Sequence, residues 1–499
     1  VRVLFVEDGK TLQRIPTGSW SQLECAMCLS ANDAPAVSPD SFSGKWLAFK
    51  DLLKETNSSS ANELSEAITP DTIATIIFTS GSTGQPKGIP YTHRQVCLAI
   101  SDILHAFPEI QAGDRLVCWL PLSNLFQRMI NYCAAGRGAE TYFVSDPRSI
   151  ISMLPEIKPH LFISVPRFFE KLYDGIEAQI AQSPGFRRRI ANWALNVGQS
   201  AATANREGRT LGLIEKNVHK VADRVVLSKL REVMGGEIKF LVSGSAPISH
   251  WLLERFHGMG FLILEAYGLS ENVTPVAINR VTDFRFGSVG LPMSSNQVEI
   301  AVAGEVLVKG DGVFGGYLGA PNSEAGLNDD GYLHTGDLGE FDHDGYRRLV
   351  GRKSEIFKTS TGRKVAPVPI EGKLKRIEDV DYAVLIGAGQ KMTVAIIAPS
   401  MEIEKDLSND DKFSAFASNV SKKILPALAD EQSYAKPMGA IILNRTFTID
   451  TEELTSNLKL RRKLIEAKHE AALSALYNSL DTGETIDRRF DDNTILRTL

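Results

Sequence analysis

The sequence predicts an α/β protein with a large N-terminal domain of αβ layers, a β-rich subdomain and a small α+β C-terminal domain. Apolar runs typical of buried strands alternate with helical stretches over about 270 residues, as in a mainly parallel, covered sheet. From about residue 287, short strands with turn residues between them indicate hairpins. A shorter mixture of strands and helices begins near residue 351. We therefore expect domains at 1–350 and 351–480, followed by a polar tail at 481–499.

Composition limits the class of protein. The 499 residues are 43% hydrophobic and 23% charged, an ordinary balance for a chain that buries real cores. A net charge of −5 gives no global field for nucleic acid, so nucleic-acid binding by the basic run 459–463 is a poor alternative. The five cysteines form no disulfide framework, and the isolated pair Cys25 and Cys28 is better explained as small apolar residues than as a metal or redox site. We expect reduced thiols, a cytoplasmic location and no membrane-spanning helix.

The first 55 residues are expected to alternate short strands and helices. They begin with a strand at 1–6 and end with an amphipathic segment at 46–53, before a polar linker at 55–62. The first strand is typical of the inside of a fold. We therefore expect the chain to begin partway through a longer protein.

A strand at 73–78 leads into a stretch of glycines, hydroxyls and a lysine. Backbone amides of such a turn can converge on an anion, and the hydroxyls and the lysine add donors and charge. It differs from the common P-loop because Pro86 and Gly88 flank the lysine. By itself the stretch fits either a polyphosphate cradle or a flexible connection. Its candidate residues are Thr79, Ser80, Gly81, Ser82, Thr83, Gly84 and Lys87.

Further elements follow from the same patterns. A helix is predicted from Thr92, a suitable N-cap, to about Phe107, and a long helix at about 464–476. The region 167–233 is mostly helical and charged. Strands are predicted at 115–122, 141–144, 161–165, 238–242, 261–267, 305–308, 331–334, 346–350, 383–387 and 392–397.

Four later stretches carry groups that suit a nucleotide. Gly244–Pro247 is a run of small residues against which a flat ring could lie, and the stretch 265–271 brings an aromatic ring and a carboxylate able to hold Mg²⁺. Asp337 could accept hydrogen bonds from ribose hydroxyls, and the fourth stretch is 351–358. Each of them alone has an ordinary structural explanation, such as a strand-end glycine or an exposed ion pair.

In order and spacing, these stretches and the phosphate loop closely resemble the motifs of the AMP-forming acyl-adenylate superfamily. The resemblance runs from about Thr69 to about Arg462. Within the superfamily the chain is similar to the long-chain fatty acyl-CoA synthetases in segment 165–172, in the helical insert after it and in segment 454–462. The resemblance implies an acyl-CoA synthetase-like fold whose C-terminal domain is mobile.

The resemblance also implies a role for each matching residue. Thr79 through Lys87 would hold the ATP phosphates, Ser270 the α-phosphate, Glu271 the Mg²⁺ ion, and Asp337 with Arg352 the ribose. Lys459 would act during adenylation, whereas Lys358 and the loop around Gly362 would face the site during thioester formation. The implied adenosine site comprises Gly244, Ser245, Ala246, Pro247, Glu265, Ala266, Tyr267 and Gly268. The implied acyl pocket comprises Asn124, Phe126, Gln127 and Val242.

The implied activity is that of an ATP-dependent fatty acid–CoA ligase using ATP, Mg²⁺ and CoA. Two alternatives are an acyl-AMP ligase that loads a carrier protein and a non-catalytic nucleotide-binding relative. Asn124 stands where many relatives have histidine, and Ser354 replaces the usual Asp or Lys of the domain hinge. A long apolar substrate makes peripheral membrane contact a further expectation, and the oligomeric state is left open.

Overall fold

The computed structural model describes residues 2–6, 11, 15–29, 42–48, 67–80, 86–319, 326–455 and 459–499, without the side chains of residues 17, 18, 47, 48, 80 and 86. The chain divides into two compact units, Val1–Thr72 and Ile73–Leu499. None of the helices in these described ranges combines the length and the apolar character needed to cross a bilayer.

The first unit contains a parallel three-stranded sheet. Its strands are β1 (Val3–Val6), β2 (Cys25–Cys28) and β3 (Lys45–Ala48), in that order. The strand expected at 1–6 is confirmed, and Cys25 and Cys28 lie along β2 outside any disulfide. The expected amphipathic segment 46–53 begins as a strand, because β3 pairs with β2 there. The linker predicted at 55–62 lies outside the described residues.

The second unit opens with an antiparallel hairpin of β4 (Ile73–Ser80) and β5 (Pro86–Thr92). Helix α1 (His93–Ala106) follows directly. Thr92 caps it as predicted: its hydroxyl accepts from the Gln95 amide, while the Gln95 side chain accepts from the Thr92 amide. This reciprocal pair satisfies two amides of the first turn and fixes where the helix begins.

A seven-stranded sheet forms the centre of this unit. Its order is β12-β11-β10-β9-β8-β6-β7. Strands β6 to β10 run parallel to one another, and β11 and β12 are added antiparallel at one edge. The strands are β6 (Arg115–Cys118), β7 (Glu140–Phe143), β8 (Leu161–Ser164), β9 (Phe240–Ser243), β10 (Ile263–Tyr267), β11 (Ala277–Ile278) and β12 (Leu291–Pro292).

Helices cover both faces of the sheet, because neighbouring strand residues belong to different cores. Leu116 and Ile163 pack in one core, whereas Val117 and Phe162 pack in the other. The α/β prediction is confirmed. The helices are α2 (Leu125–Arg137), α3 (Ile150–Ile157), α4 (Pro166–Ala181), α5 (Gly185–Arg206), α6 (Leu213–Ala222), α7 (Ser228–Glu232) and α8 (His250–Gly258). A π-helical turn, Asp223–Leu227, joins α6 to α7.

The β-rich part is an antiparallel sheet ordered β13-β14-β15-β16. A smaller α+β part follows, whose main sheet is ordered β19-β20-β21-β23-β22 and whose two hydrophobic cores consist of residues beyond 364. The strands are β13 (Gln297–Ile300), β14 (Glu305–Lys309), β15 (Leu333–Phe341), β16 (Arg347–Arg352), β17 (Phe357–Lys358), β18 (Lys364–Val365), β19 (Val380–Ile386), β20 (Thr393–Pro399), β21 (Pro437–Leu443), β22 (Asp487–Asp491) and β23 (Thr494–Thr498). The helices are α9 (Pro367–Leu374), α10 (Asp410–Ala427), α11 (Arg462–Lys468) and α12 (Glu470–Thr482).

Two sequence predictions need correction here. The helix expected at about 464–476 is two helices, because the backbone of His469 is not helical (φ −107°, ψ 15°) and serves as the C-cap of α11 and the N-cap of α12. The polar tail expected at 481–499 contains β22 and β23. Ile495 and Leu496 of β23 are buried, so the segment completes the C-terminal sheet.

Candidate active site

The β4–β5 hairpin carries residues that are predicted to hold phosphates. Thr79 and Lys87 are register partners on its two strands, so they flank the connecting loop. That loop lies outside the described residues, and the phosphate-binding roles of Gly81, Ser82, Thr83 and Gly84 stay predictions. The backbone of Ser80 ends β4 opposite Pro86.

Lys87 and Glu271 both contact the side chain of Tyr317. The Lys87 Nζ atom lies 4.8 Å from the centre of the Tyr317 ring, a cation–π distance. The Tyr317 hydroxyl donates to Glu271 Oε1 over 2.9 Å. Burial, and then the charge of Glu271, raise the pKa of Tyr317, so the phenol stays protonated and keeps donating. A cation and a carboxylate therefore contact the same tyrosine, the cation over its ring and the carboxylate at its hydroxyl.

β5 also fixes the segment that carries the carboxylate. The hydroxyl of Tyr91 donates to the Ser270 carbonyl over 2.5 Å. Burial and the charge of Glu271 raise the pKa of Tyr91 well above its ordinary value. The Leu318 amide donates to the Gly88 carbonyl over 2.8 Å, which binds the Tyr317 segment to the same strand. One strand thus orients Lys87, Ser270 and Glu271.

The other end of the site is built around Asp337 of β15. Its Oδ2 accepts from the Tyr267 hydroxyl at 2.7 Å, and its Oδ1 forms an ion pair with Arg352 Nε at 2.9 Å. Asp337 and Arg352 are register partners, and the Asp337 amide donates to Thr335 Oγ1. Asp337 is buried, and the loss of water raises its pKa despite the arginine. Each carboxylate oxygen keeps a lone pair that could accept from a ribose hydroxyl.

Lys459 is an exposed residue whose ammonium group experiences the charges of both ends. Partial loss of water around that group, and then the charge of Arg352, lower the pKa of Lys459. The charges of Asp337 and Glu271 act on it in the opposite direction, so both ends of the site lie within its electrostatic reach. Thr455 holds the backbone here, because the Lys459 amide donates to its hydroxyl and the Lys459 carbonyl accepts from its amide.

A glycine allows an aromatic side chain to approach the end of β9. A Cβ atom added to Gly244 would lie 3.2 Å from Cε1 of Phe126, so the ring packs against the bare backbone. The Gly244 amide donates to the Ser164 carbonyl. Ser245 has a φ of 68°, the left-handed region, which turns the chain sharply towards Ala246 and Pro247. The predicted acyl and adenosine residues therefore meet at this strand end, with Ala266 and Gly268 on the neighbouring β10 strand and its loop.

Several predicted site residues have structural partners instead. The buried Glu265 carboxylate accepts from the Gly287 amide at 2.9 Å, and burial raises its pKa to about 8, so its side chain has a structural partner and its role at the nucleotide stays a prediction. Gln127 is fully buried, and its amide group hydrogen-bonds the backbone of 117, 119 and 120. Its side chain therefore links α2 to β6. Asn124 caps α2 by accepting from the Phe126 amide at 3.0 Å.

Two other predicted residues, Val242 and Lys358, take no part in the contacts described above for Lys87, Glu271 and Asp337. Val242 is buried within β9 in the same hydrophobic core as Leu116. Lys358 is exposed on the β17–β18 hairpin, and its side chain makes no hydrogen bond or ion pair with the described part of the chain. Its role in thioester formation stays a prediction, as does that of the loop at Gly362.

Sequence reasoning missed Tyr317, Tyr91 and Thr335. Tyr91 falls within an apolar strand and Tyr317 follows two glycines, and neither pattern distinguishes these rings from ordinary core aromatics. Thr335 stands beside Asp337, in a stretch that was recognised for its carboxylate alone.

The donor set around Glu271 fits Mg²⁺. Among the described residues, no group of three or more His, Cys, Asp or Glu side chains could hold a metal by itself. A single carboxylate is nevertheless what Mg²⁺ needs when substrate phosphates and water complete its octahedron. Glu271, with one oxygen taken by Tyr317, would hold the ion through the other.

The sequence profile of the AMP-binding enzymes matches residues 3–318, and that of their C-terminal domain matches residues 355–481. The chain belongs to the AMP-binding enzyme family. This AMP-binding enzyme is 35% identical to the long-chain-fatty-acid–CoA ligase FadD15 of Mycobacterium bovis over 421 residues, which cover 81% of the chain and 69% of the relative. It is 30% identical to fatty acyl-CoA synthetase B of Dictyostelium discoideum, over 87% of the chain and 67% of the relative.

A solved structure shows the same fold. It is the A domain of the carboxylic acid reductase from Segniliparus rugosus in complex with AMP and a co-purified carboxylic acid. The TM-score is 0.65 at 20% identity, over 92% of this AMP-binding enzyme and 72% of that chain. The expected acyl-CoA synthetase-like fold is confirmed.

Proposed function

We propose that this protein is an ATP-dependent long-chain fatty acid–CoA ligase. The observation that carries the proposal is a set of groups: Lys87 and Glu271 contact Tyr317, and Asp337 pairs with Arg352. Lys459 experiences the charges of both Glu271 and Asp337. The set offers cations for phosphates at one end and a buried carboxylate for ribose at the other. The similarity to long-chain-fatty-acid–CoA ligases over most of the chain supports the choice of acid and thiol.

The first step joins the fatty acid to AMP. A carboxylate oxygen attacks the α-phosphorus of ATP, and the bond from that phosphorus to the bridging oxygen breaks, so pyrophosphate leaves. Two anions must meet, and catalysis therefore consists mainly of positioning and charge neutralisation. Lys459 neutralises the reacting oxygens, and Lys87 holds the departing β- and γ-phosphates. When bound, Mg²⁺ at Glu271 would offset further phosphate charge.

The second step forms the thioester. The sulfur of CoA attacks the acyl carbon of acyl-AMP, the carbon–oxygen bond to the phosphate breaks, AMP leaves, and the thiol proton goes to solvent. No protein nucleophile is required. Two of the cysteines agree with this: Cys118 and Cys133 are buried, and burial raises the pKa of Cys133 to about 12, which disfavours its thiolate.

The decisive experiment separates the two steps. Pyrophosphate release is measured with fatty acids of graded chain length, with and without CoA, for the wild type and for Lys459→Ala. We expect Lys459→Ala to lose acyl-AMP formation by a factor on the order of 10²–10³, as when a single transition-state donor is removed, and to retain thioester formation from added acyl-AMP.

Lys463→Ala is the matched control, because Lys463 is exposed in α11 only four residues away. It should leave both steps unchanged. Equal loss of the two steps in Lys459→Ala would contradict the role given to that residue. Release of pyrophosphate without any thioester to free CoA would favour the carrier-loading alternative, and ATP binding without any release would favour a non-catalytic protein.

A further inference from the structure

Helix α5 buries small side chains and leaves several large apolar side chains exposed. The residues that it buries are small: Ala194, Gly198, Ala201 and Ala204. A Cβ atom at Gly198 would lie 2.1 Å from the Gly258 carbonyl oxygen, so α5 is pressed directly against α8. Three of its large apolar residues stay exposed to solvent, with Phe186 63% exposed and Ile190 and Trp193 each 40% exposed. These three are spaced four and three residues apart and share one face.

The helical segments that follow also expose large apolar side chains. Leu213 and Ile214 begin α6 at 83% and 80% exposed, and Val221 and Val225 are 53% and 42% exposed. Burying a side chain of this kind stabilises a protein by roughly 1.5–3 kcal/mol. Single exposed apolar residues are normal, but seven within residues 186–225 exceed a scatter of single exposures, and we take this segment as a candidate interaction surface. We call residues 185–232 the helical hairpin.

The helical hairpin is also basic. It contains ten Lys and Arg residues and four Asp and Glu residues, a net charge of +6 in a chain whose net charge is −5. Arg187, Arg188 and Arg189 form no ion pair with any described carboxylate. They precede Ile190 directly, and the Arg187 guanidinium lies 5.8 Å from the centre of the Phe186 ring. Unpaired cations therefore border the exposed apolar face.

We propose that the helical hairpin docks onto the surface of an anionic phospholipid bilayer. An interfacial helix places apolar and aromatic side chains at the boundary of headgroups and acyl chains, while its Lys and Arg residues contact anionic headgroups. A bilayer uses both properties of this surface at once. A nucleic acid would engage the cations and leave Leu213 and Ile214 in water. The docking requires neither ATP nor fatty acid, so it stands or falls separately from the ligase activity.

The test is co-sedimentation of the whole protein with vesicles of phosphatidylcholine alone or with phosphatidylglycerol added to about one third. We expect binding to the anionic vesicles only, weakening as salt screens the charges. The variant Arg187→Ser with Arg188→Ser and Arg189→Ser should bind roughly a hundredfold more weakly, at about fivefold for each cation lost. Leu213→Ser with Ile214→Ser should also weaken binding, because it removes inserted apolar surface.

Matched controls exist elsewhere on the chain. Lys405→Ser with Lys422→Ser and Arg488→Ser removes three exposed cations outside the helical hairpin, and Val302→Ser with Met401→Ser removes two exposed apolar side chains. Both controls should bind like the wild type. All of the substituted hairpin residues are exposed, so circular dichroism should show retained folding. The proposal is overturned if the wild type does not bind anionic vesicles, or if the hairpin and control variants lose equal affinity for them. It is also overturned if the protein binds RNA or DNA but does not bind vesicles.

Discussion

An ion pair joins helix α4 to the C-terminal part of the protein. Arg167, in the first turn of α4, pairs with Asp381 of β19 and lies 3.4 Å from Glu170. The Arg167 and Asp381 side chains are 24% and 13% exposed. The pairing raises the pKa of Arg167 although burial acts against it. Arg167→Met keeps the length of the stem and removes the charge, so it tests whether this pair holds the C-terminal part in the arrangement that presents Lys459.

The burial of the pair sets the size of the effect. Removing one partner of a fully buried pair costs about 3–5 kcal/mol, whereas an exposed pair is worth about 0–1 kcal/mol. A pair that is one quarter exposed or less lies between these limits, at about 2 kcal/mol, which corresponds to about a 30-fold change. If Lys459 acts only in adenylation, Arg167→Met should slow acyl-AMP formation by up to that factor. Thioester formation from supplied acyl-AMP should be unchanged.

Exchange of labelled pyrophosphate into ATP measures the first step, and CoA-dependent release of AMP from acyl-AMP measures the second. Lys171→Met is the matched control on the same helix. Lys171 reaches Glu402 over 3.9 Å, but the two side chains are 48% and 83% exposed. Its loss should change either rate by less than about twofold. The reasoning fails if Arg167→Met behaves like this control, or if it slows both steps equally while the protein remains folded.

Three further predictions concern single side chains. Tyr267→Phe removes the donor to Asp337 but keeps the ring, so the KM for ATP should rise about tenfold or more in steady-state assays, with unchanged far-ultraviolet circular dichroism. Glu265, with its pKa raised to about 8, should make the free energy of unfolding fall with rising pH between about 4.5 and about 8, because unfolding releases its proton. In urea titrations Glu265→Gln should abolish that slope and leave the KM for ATP unaltered; a raised KM would restore Glu265 to the nucleotide site. Glu453, whose pKa is lowered to about 2 chiefly by Arg445, should contribute about 3 kcal/mol above pH 4.5 that is lost as the pH falls towards 2, and Glu453→Gln should flatten this acid limb.

The sequence correctly predicted the elements whose position depends on a few neighbouring residues. Thr92 and Gln95 fix the start of α1 whatever the rest of the protein does. The apolar run that forms β8 is buried at every position, as such runs are in parallel sheets. The family motifs led to Glu271, Asp337 and Arg352, which the fold brings into one site from different strands and loops.

What the sequence did not predict depends on contacts between residues that lie far apart in the chain. Every residue of β22 is exposed and β23 has only a short apolar run, so the segment resembles a tail until β21 is present to pair with it. Gln127 and Glu265 carry groups that suit a ligand, and only the fold shows that backbone amides occupy them. Tyr317 gains its role from Lys87, which lies 230 positions earlier in the sequence.

The position of β23 between β21 and β22 affects biosynthesis. As the chain leaves the ribosome, β19, β20 and β21 emerge well before their neighbour, and β21 keeps an unpaired edge until Thr494–Thr498 arrives. The strands that carry Lys87, Asp337 and Arg352 can fold meanwhile, because all of them precede residue 353. Premature termination near residue 490 would therefore release a chain that folds these candidate site strands but leaves Ile441 and its neighbours open to aggregation.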